Sequence, residues 1–284
     1  MRPGEPSRTA FGAAAHRAAH QDLEDGRIFR DPLAWTILGA DRDVVLDRAR
    51  AADRPWLRLF IAVRHRFAED GLAEAVERGT RQVVVLGAGL DTFAYRNPHA
   101  GVRVFEVDLP ATGDWKAERL RDAGIAVPES TVFVGCDFEH DDLLDRLVRA
   151  GFEASSPAYF LWLGVVPYLT EDVVTATLRR LGSLPGAEVA FDYAAPMTGL
   201  SRKARKWRAA FEQRVAALGE PLTGPIEPER VERILRDAGF GEIEDLGRAE
   251  IATRFFGLPA DTPGGGGHVV RARVVDSVSP APGS

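Results

Sequence analysis

The chain has very little cysteine and no excess of positive charge. Cys136 is the single cysteine of 284 residues, which excludes an intrachain disulfide framework and a thiolate-rich zinc or iron–sulfur site. Lys and Arg number 36 against 42 Asp and Glu, so the net charge of −6 offers no general field for a nucleic-acid backbone. Apolar runs of about 18 residues are lacking, and residues 1–10 are too polar for a secretory signal. We therefore expect a cytoplasmic protein without a nucleic-acid or membrane partner. Because His65, His99, His140 and His268 are scattered without metal-ligand spacing, we also expect no metal site.

Short apolar runs alternate with helical patterns from residue 82 onward. Residues 82–86 (QVVVL) form a continuous β-branched run that ends at a glycine, as is typical of a strand buried on both faces. Strands that alternate with helices predict a doubly wound, mostly parallel α/β sheet with helices on both faces. The predicted strands are residues 82–86, 102–107, 131–134, 158–163, 188–191 and 268–275, and the predicted helices are residues 112–123, 141–150, 171–181, 200–218 and 228–238.

The sequence before the first strand predicts helices. Residues 13–39 predict two short helices, with Asp31 as the cap and Pro32 at the first position of the second helix. Residues 55–78 predict one long helix that ends at Gly79. We accordingly divide the chain into a helical cap over residues 1–79, a core over residues 80–276 with a lid insertion at about 197–225, and a flexible Ser/Pro/Gly-rich tail over residues 277–284.

The sharpest motif is residues 86–92 (LGAGLDT), which directly follow the first predicted strand. Glycines at this point allow the backbone to approach a ligand closely at the carboxyl edge of a sheet. Asp108 ends the next strand, 21 residues after Gly87, where an acid can accept hydrogen bonds from a ribose diol. Thr92 stands where a dinucleotide fingerprint requires its third glycine, which weakens a nicotinamide or flavin interpretation. The pattern predicts a nucleotide-type cofactor site; a ligand-free tight turn and a capping role for Asp108 remain alternatives.

Together these motifs resemble the S-adenosylmethionine-dependent methyltransferases of the leucine carboxyl methyltransferase type, particularly their bacterial branch. The likeness covers most of the chain. It rests on residues 83–96 (VVVLGAGLDTFAYR), on residues 105–110 (FEVDLP) with Lys116, on residues 168–170 (YLT) and, for the bacterial branch, on residues 7–10 (SRTA), Arg17-Ala18 and residues 31–34 (DPLA). The resemblance implies a class I, Rossmann-like methyltransferase core with S-adenosyl-L-methionine as cofactor.

The resemblance also implies which residues bind that cofactor. In the family an arginine on the helix before the first strand pairs with the methionine carboxylate, and Arg64 matches it; a guanidinium suits a carboxylate well. Asp108 matches the ribose-binding acid, and Asp137 with Phe138 matches the pair at the adenine amino edge. The predicted cofactor-binding residues are Arg64, Gly87, Ala88, Gly89, Asp91, Asp108, Leu109, Asp137, Phe138 and Leu163.

One of these positions departs from the family. Leu163 stands where the family usually has a glutamate that faces the methionine end of the cofactor. A leucine cannot accept a hydrogen bond from the cofactor's amino group. The resemblance therefore implies a changed contact near the methyl group, and a substrate or reaction that differs from that of the family's namesake.

Methyl transfer from a sulfonium is an in-line displacement that depends chiefly on holding the acceptor at near-attack distance. A carboxylate acceptor needs no base, whereas a hydroxyl acceptor benefits from one, and His20, Tyr168 and His16 are the candidates. The apolar segment at residues 163–167 (LGVVP) favours a small apolar acceptor. We predict O-methylation of a small molecule, with secondary metabolism as the expected setting.

Other interpretations stay open from the sequence alone. They are a methyltransferase acting on a protein C-terminal carboxylate, an NAD-dependent oxidoreductase and a catalytically silent S-adenosylmethionine-binding protein. Residues 201–208 (SRKARKWR) carry five of their eight residues as Arg or Lys on the predicted lid helix. They are either a solvated face or a surface that attracts an anionic substrate or a carrier protein.

Overall fold

The computed structural model describes residues 8–51, 55–138, 140–197, 221–262 and 265–275, together with residues 209, 213, 216 and 217. Most of the predicted lid, all of the basic segment at residues 201–208 and the predicted tail therefore lie outside the described residues. Within the described ranges, the helices are too short or too polar to cross a lipid bilayer.

The described chain forms one sheet flanked by helices. The helices are α1 (Arg8–Leu23), α2 (Ala34–Leu38), α3 (Arg42–Ala51), α4 (Pro55–Glu77), α5 (Phe93–Arg96), α6 (Pro110–Asp122), α7 (Leu143–Arg149), α8 (Glu171–Gly182), α9 (Pro228–Asp237) and α10 (Arg248–Phe256), with a 3₁₀ turn at Val166–Tyr168. The strands are β1 (Gln82–Leu86), β2 (Arg103–Asp108), β3 (Thr131–Gly135), β4 (Ala158–Trp162), β5 (Glu188–Ala194), β6 (Phe240–Leu246) and β7 (Gly267–Val274).

The strand order of the sheet is β3-β2-β1-β4-β5-β7-β6. Strands β1 to β5 pair in parallel, and β7 runs antiparallel to both β5 and β6. The order reverses between β1 and β4, which creates the crevice where doubly wound sheets bind ligands. The predicted doubly wound, mostly parallel fold is confirmed.

Strand β1 shows why the central strands are apolar throughout. Val84 and Leu86 face a core shared with α7, α8 and α9, whereas Val83 and Val85 face a second core shared with α4 and α5. Because successive side chains point to opposite faces, a strand covered on both sides needs apolar residues at every position. A third core joins α1, α2, α3 and α6 with Leu90, which follows β1.

The structure corrects one predicted helix cap and adds elements that the sequence did not predict. Strand β6 was not predicted, because the acidic residues at 242, 244 and 245 hide the period of an edge strand that pairs on one side only. Helices α3, α5 and α10 were also not predicted. The second N-terminal helix begins at Ala34 with Leu33 as its cap, so the prediction that Asp31 caps it was wrong; Asp31 Oδ1 accepts from the Leu33 backbone N–H, and Oδ2 enters a buried network.

Candidate active site

The ends of four neighbouring parallel strands meet at one edge of the sheet. Leu86 is in register with Val107, and Asp108 is in register with Gly135. The segments that follow β1, β2, β3 and β4 contain the glycine turn, Asp108, Asp137 and Leu163. The topology therefore brings these predicted residues to one edge, although they are up to 76 positions apart in sequence.

The glycine turn is closely covered. Gly87 has a φ of +67°, and a Cβ added there would lie 2.4 Å from Cγ2 of Val165, in the loop after β4. The backbone N–H groups of Gly87 and Ala88 both donate to the carbonyl oxygen of Val107, at 2.8 and 3.0 Å. Gly89 N–H donates to Asp108 instead. The three N–H groups of this turn are thus used within the protein, which argues against a cradle for a pyrophosphate.

Asp108 is held by two backbone donors. Its Oδ2 accepts from Gly89 N–H at 2.7 Å, and its Oδ1 accepts from Leu109 N–H at 2.8 Å. Burial raises the pKa of this carboxyl, and the two N–H groups oppose that rise by favouring the charged form. A carboxylate has about four acceptor positions, so Asp108 retains acceptor capacity for a ligand diol.

Glu106, two residues earlier on the same face of β2, is buried and pairs with two groups inside the protein. Its Oε1 pairs with Lys116 Nζ at 2.8 Å, and its Oε2 accepts from the Tyr95 hydroxyl at 2.6 Å. Lys116 and Glu106 are both buried. Asp108 is half-buried, so of the two acids it is the one that a ligand can reach, and Lys116 acts as the counter-ion of Glu106.

Asp137 and Phe138 follow β3 next to Asp108. Cys136 N–H donates to the Asp108 carbonyl oxygen at 2.9 Å, which fixes the distance between the two strand ends. Asp137 Oδ2 lies 3.1 Å from His140 Nδ1, and Phe138 is half-buried against the core. Burial raises the pKa of the Cys136 thiol to about 11, so this cysteine is an inert core residue.

Arg64 on α4 reaches the loop after β4. Its Nη1 donates to Oδ2 of Asp192 on β5 at 3.2 Å, and both side chains are buried. Gly164 has a φ of +73°, and a Cβ there would lie 2.7 Å from the Arg64 guanidinium. The Nε of Arg64 is buried and has no hydrogen-bond partner. A buried guanidinium N–H without an acceptor is costly, so this atom fits a ligand carboxylate.

Helix α1 lies over the glycine turn. A Cβ added at Gly89 would lie 2.9 Å from the Cβ of Ala10, and the Nη2 of Arg17 donates to the Leu90 carbonyl oxygen at 2.5 Å. Asp91 Oδ1 accepts from Phe93 N–H at 2.7 Å, and its Oδ2 lies 3.6 Å from Nδ1 of the buried His65. The N-terminal helices are thus part of the wall of the site.

The three candidate bases lie in different places. His20 on α1 is fully buried; its Nδ1 lies 3.0 Å from Glu24 Oε2, and its Nε2 has no partner. His16, one turn earlier, is half-buried. Tyr168 is half-buried in the 3₁₀ turn that continues the loop of Leu163, Gly164 and Val165.

Sequence reasoning missed two features of the site. Asp192 was left out because the predicted strand stopped at residue 191; a lone acid in the apolar run at residues 189–194 (VAFDYA) was the available signal. His65 was considered only as a metal ligand. It is buried, stacks on Phe29 at 5.2 Å and faces Asp91.

Comparison with known proteins places this geometry in a family. Residues 10–182 match the family described as leucine carboxyl methyltransferase. YktD of Bacillus subtilis, provisionally named an S-adenosyl-L-methionine-dependent methyltransferase, is 28% identical over 284 aligned residues that cover 90% of this chain and 93% of YktD. A protein of Saccharopolyspora erythraea with the same provisional name is 31% identical over 243 residues, covering 81% of this chain and 84% of that protein.

A solved structure supports the fold. The crystal structure of a provisionally named methyltransferase from Thermobifida fusca aligns with a TM-score of 0.56 at 20% identity, over 96% of both chains. The family match spans the helical cap, the glycine turn, Asp108 and the loop after β4. The chain belongs to the leucine carboxyl methyltransferase family and is an S-adenosyl-L-methionine-dependent methyltransferase.

Proposed function

We propose that this methyltransferase acts on an oxygen atom of a small, apolar molecule. The observation that carries the proposal is the buried His20, whose Nδ1 is paired with Glu24 and whose Nε2 has no partner. A carboxylate on one imidazole nitrogen leaves the other nitrogen as the basic one. This is the arrangement that a hydroxyl acceptor needs when it must lose a proton.

The residues of the site fit the cofactor. Asp108 has acceptor capacity for the ribose diol, and Arg64 has an unpaired Nε for the methionine carboxylate. Asp137 and Phe138 lie at the next strand end, where they would contact the adenine. When bound, the cofactor supplies an electrophilic methyl group on its sulfonium. The remaining work of the protein is to orient the acceptor oxygen, exclude water and remove a proton.

His20 is suited to accept that proton. Burial lowers its pKa below the usual value, even though Glu24 acts in the opposite direction. The imidazole is therefore neutral near pH 7. It lies one turn beyond Arg17, on the helix that covers the glycine turn. Tyr168 in the loop after β4 is the second candidate for contact with the acceptor.

The apolar lining supports a small acceptor rather than a peptide. Leu163 and Val165 follow β4, and Val165 lies against the glycine turn. Methylation of a protein C-terminus remains the second proposal, and it would require a surface that binds a peptide. A carrier-bound acceptor is a variant of the first proposal. Cytoplasmic location and a role in secondary metabolism remain predictions.

The test uses cofactor with an isotopically labelled methyl group and a panel of hydroxylated and carboxylated small molecules, together with peptides that end in a free carboxylate. Label in a methyl ether, which resists alkali, supports a hydroxyl acceptor. Label that alkali releases as methanol identifies a methyl ester, and the acceptor that carries it distinguishes a small molecule from a peptide. Label on nitrogen, carbon or sulfur would overturn the proposal.

Replacement of His20 then tests the base. With a hydroxyl acceptor, His20→Asn should lower kcat by about 100-fold or more, the scale of general-base catalysis. Cofactor affinity should be unchanged, because His20 is not proposed to touch the cofactor. The matched control is His99→Asn, since His99 lies in the loop that leads into β2, at the edge of the sheet opposite the site. Equal kcat values in both variants would remove His20 from the mechanism.

A further inference from the structure

Asp192 lies beside Leu163, the position at which the family usually has a glutamate. Trp162 on β4 is in register with Phe191 on the parallel strand β5. The residues that follow them, Leu163 and Asp192, are therefore neighbours. Leu163 packs on the same core as Ala190, two residues before Asp192. Side chains two residues apart share a face of a strand. Asp192 and Leu163 therefore lie on the α4 side of the sheet, one strand apart.

Asp192 is fixed in place by two donors. Its Oδ1 accepts from the Gly164 backbone N–H at 2.5 Å, and its Oδ2 accepts from Arg64 Nη1 at 3.2 Å. The side chain is only 4% exposed. A carboxylate offers about four acceptor positions, so about two remain after these contacts. The group is thus a preorganised acceptor at the methionine end of the site.

The charges of the pair match those of an amino acid. Arg64 retains a buried, unpaired Nε for a carboxylate, and Asp192 retains acceptor positions for an ammonium. Binding a zwitterion to this pair leaves the buried site neutral overall, which limits the cost of desolvation. Leu163 can supply neither contact.

We propose that Asp192 accepts a hydrogen bond from the cofactor's α-ammonium group. It would thus take the role of the glutamate that the family usually has at the position of Leu163. The proposal rests on the cofactor site assigned to Arg64 and Asp108. It is independent of which acceptor is methylated. In this arrangement Asp192 also orients Arg64, so the cofactor's amino acid is held by one arginine and one aspartate from different elements.

The test measures the affinities of S-adenosylhomocysteine and three analogues by calorimetry. The decarboxylated analogue keeps only the amine, the deaminated analogue keeps only the carboxylate, and methylthioadenosine has neither. Asp192→Asn should weaken S-adenosylhomocysteine and the decarboxylated analogue by about 10-fold or more, the value of a charge-assisted hydrogen bond. It should leave methylthioadenosine within about 3-fold of the wild type.

Arg64→Gln should give the complementary pattern, weakening S-adenosylhomocysteine and the deaminated analogue. The control is Glu188→Gln, because Glu188 lies on the same face of β5, is paired with Arg78 at 2.6 Å and sits at the opposite end of the strand. This control should change none of the four affinities. A rescue variant, Leu163→Glu in the Asp192→Asn background, should restore binding of the decarboxylated analogue.

Two results would overturn the proposal. Equal weakening of all four compounds by Asp192→Asn would mean a structural role. Weakening of S-adenosylhomocysteine and the deaminated analogue, with the decarboxylated analogue unchanged, would mean that Asp192 only orients Arg64. If Asp192→Asn does not fold, the same four affinities are measured for Asp192→Ser and for the double variant that combines Leu163→Glu with Asp192→Asn. Failure of the wild type to bind S-adenosylhomocysteine would instead overturn the cofactor site itself.

Discussion

Arg17 on α1 and Asp31 in the following loop form a buried ion pair with an Nε–Oδ2 distance of 2.6 Å. The same Asp31 oxygen accepts from the Thr92 hydroxyl at 2.8 Å, and Arg17 Nη2 donates to the Leu90 carbonyl oxygen. Thr92 and Leu90 belong to the glycine turn. This pair therefore attaches the N-terminal cap to the cofactor turn, and it explains why a sequence with this cofactor motif also carries Arg17 and Asp31.

We predict that Asp31→Asn destabilises the protein strongly. Burial pushes the pKa of Asp31 upward, but Arg17 and Arg96 outweigh it and lower that pKa, so the charged form is the one the fold requires. Removing one partner of a buried pair costs about 3–5 kcal/mol, because the other charge stays buried. Chemical denaturation should show this loss. The exposed pair of Arg66 and Asp70 is the control, and Arg66→Met should cost under about 1 kcal/mol. Similar losses in the two variants would contradict the prediction.

His65 should make stability depend on pH. Burial lowers the pKa of His65 well below 6.5, and Arg17, Arg64 and Arg96 add to that effect. Below pH 6.5 the unfolded chain binds a proton at this residue that the folded chain does not, so stability falls as the pH falls through this window. Glu106 and Asp108 act in the opposite sense, because burial raises their pKa values.

The measurement for His65 is therefore a difference between variants. The free energy of unfolding of His65→Gln, followed from pH 7.5 to about pH 5, should fall less steeply than that of the wild type. The control His140→Gln alters an exposed histidine and should follow the wild type. Parallel curves for His65→Gln and the wild type would contradict the prediction, because they would mean that His65 takes up its proton over the same pH range in the folded and the unfolded chain.

Gly87→Ala should disturb the cofactor turn. The added Cβ would meet Val165 Cγ2 at 2.4 Å, in addition to the strain of a φ of +67°. Gly101→Ala is the matched control, because Gly101 has a φ of +76° but open space around the added Cβ. Both variants should lose about 1 kcal/mol from backbone strain, and Gly87→Ala should in addition bind S-adenosylhomocysteine at least about 10-fold more weakly. Val165→Ala in the Gly87→Ala background should recover part of that affinity; no recovery would mean that Val165 is not the obstruction.

Asp108→Asn should weaken cofactor binding. The amide retains one acceptor oxygen, so it cannot accept from Gly89 and Leu109 N–H and also hold a diol as a carboxylate does. We expect the affinity for S-adenosylhomocysteine to fall by about 10- to 100-fold, as for the loss of a charged hydrogen-bond partner. Asp114→Asn, an exposed change on the following helix, should leave it unchanged. Wild-type affinity in Asp108→Asn would remove Asp108 from the site.

Much of the fold was predictable because the central strands are buried on both faces. The prediction of residues 82–86 matches β1, and residues 55–78 and 228–238 match α4 and α9 to within one residue. The sequence did not predict β6, an edge strand that pairs on one side only, or the short helix α10. Of the candidate site, the motif-bearing residues around Gly87 and Asp108 were found from spacing. Asp192 was not found, because the predicted strand stopped at residue 191 and its partner Arg64 is 128 residues away.

The sequence by itself determined the strand–helix alternation, the glycine turn, the acid after β2 and the family, because each depends on local pattern or on motif spacing. Only the tertiary structure decided which charges meet. Glu106 is neutralised by Lys116 while Asp108 remains available, and Arg64 pairs with Asp192 beside Leu163. The reason is physical: a buried charge must find its partner in space, and strand order and helix packing, rather than separation along the chain, set which partner it meets.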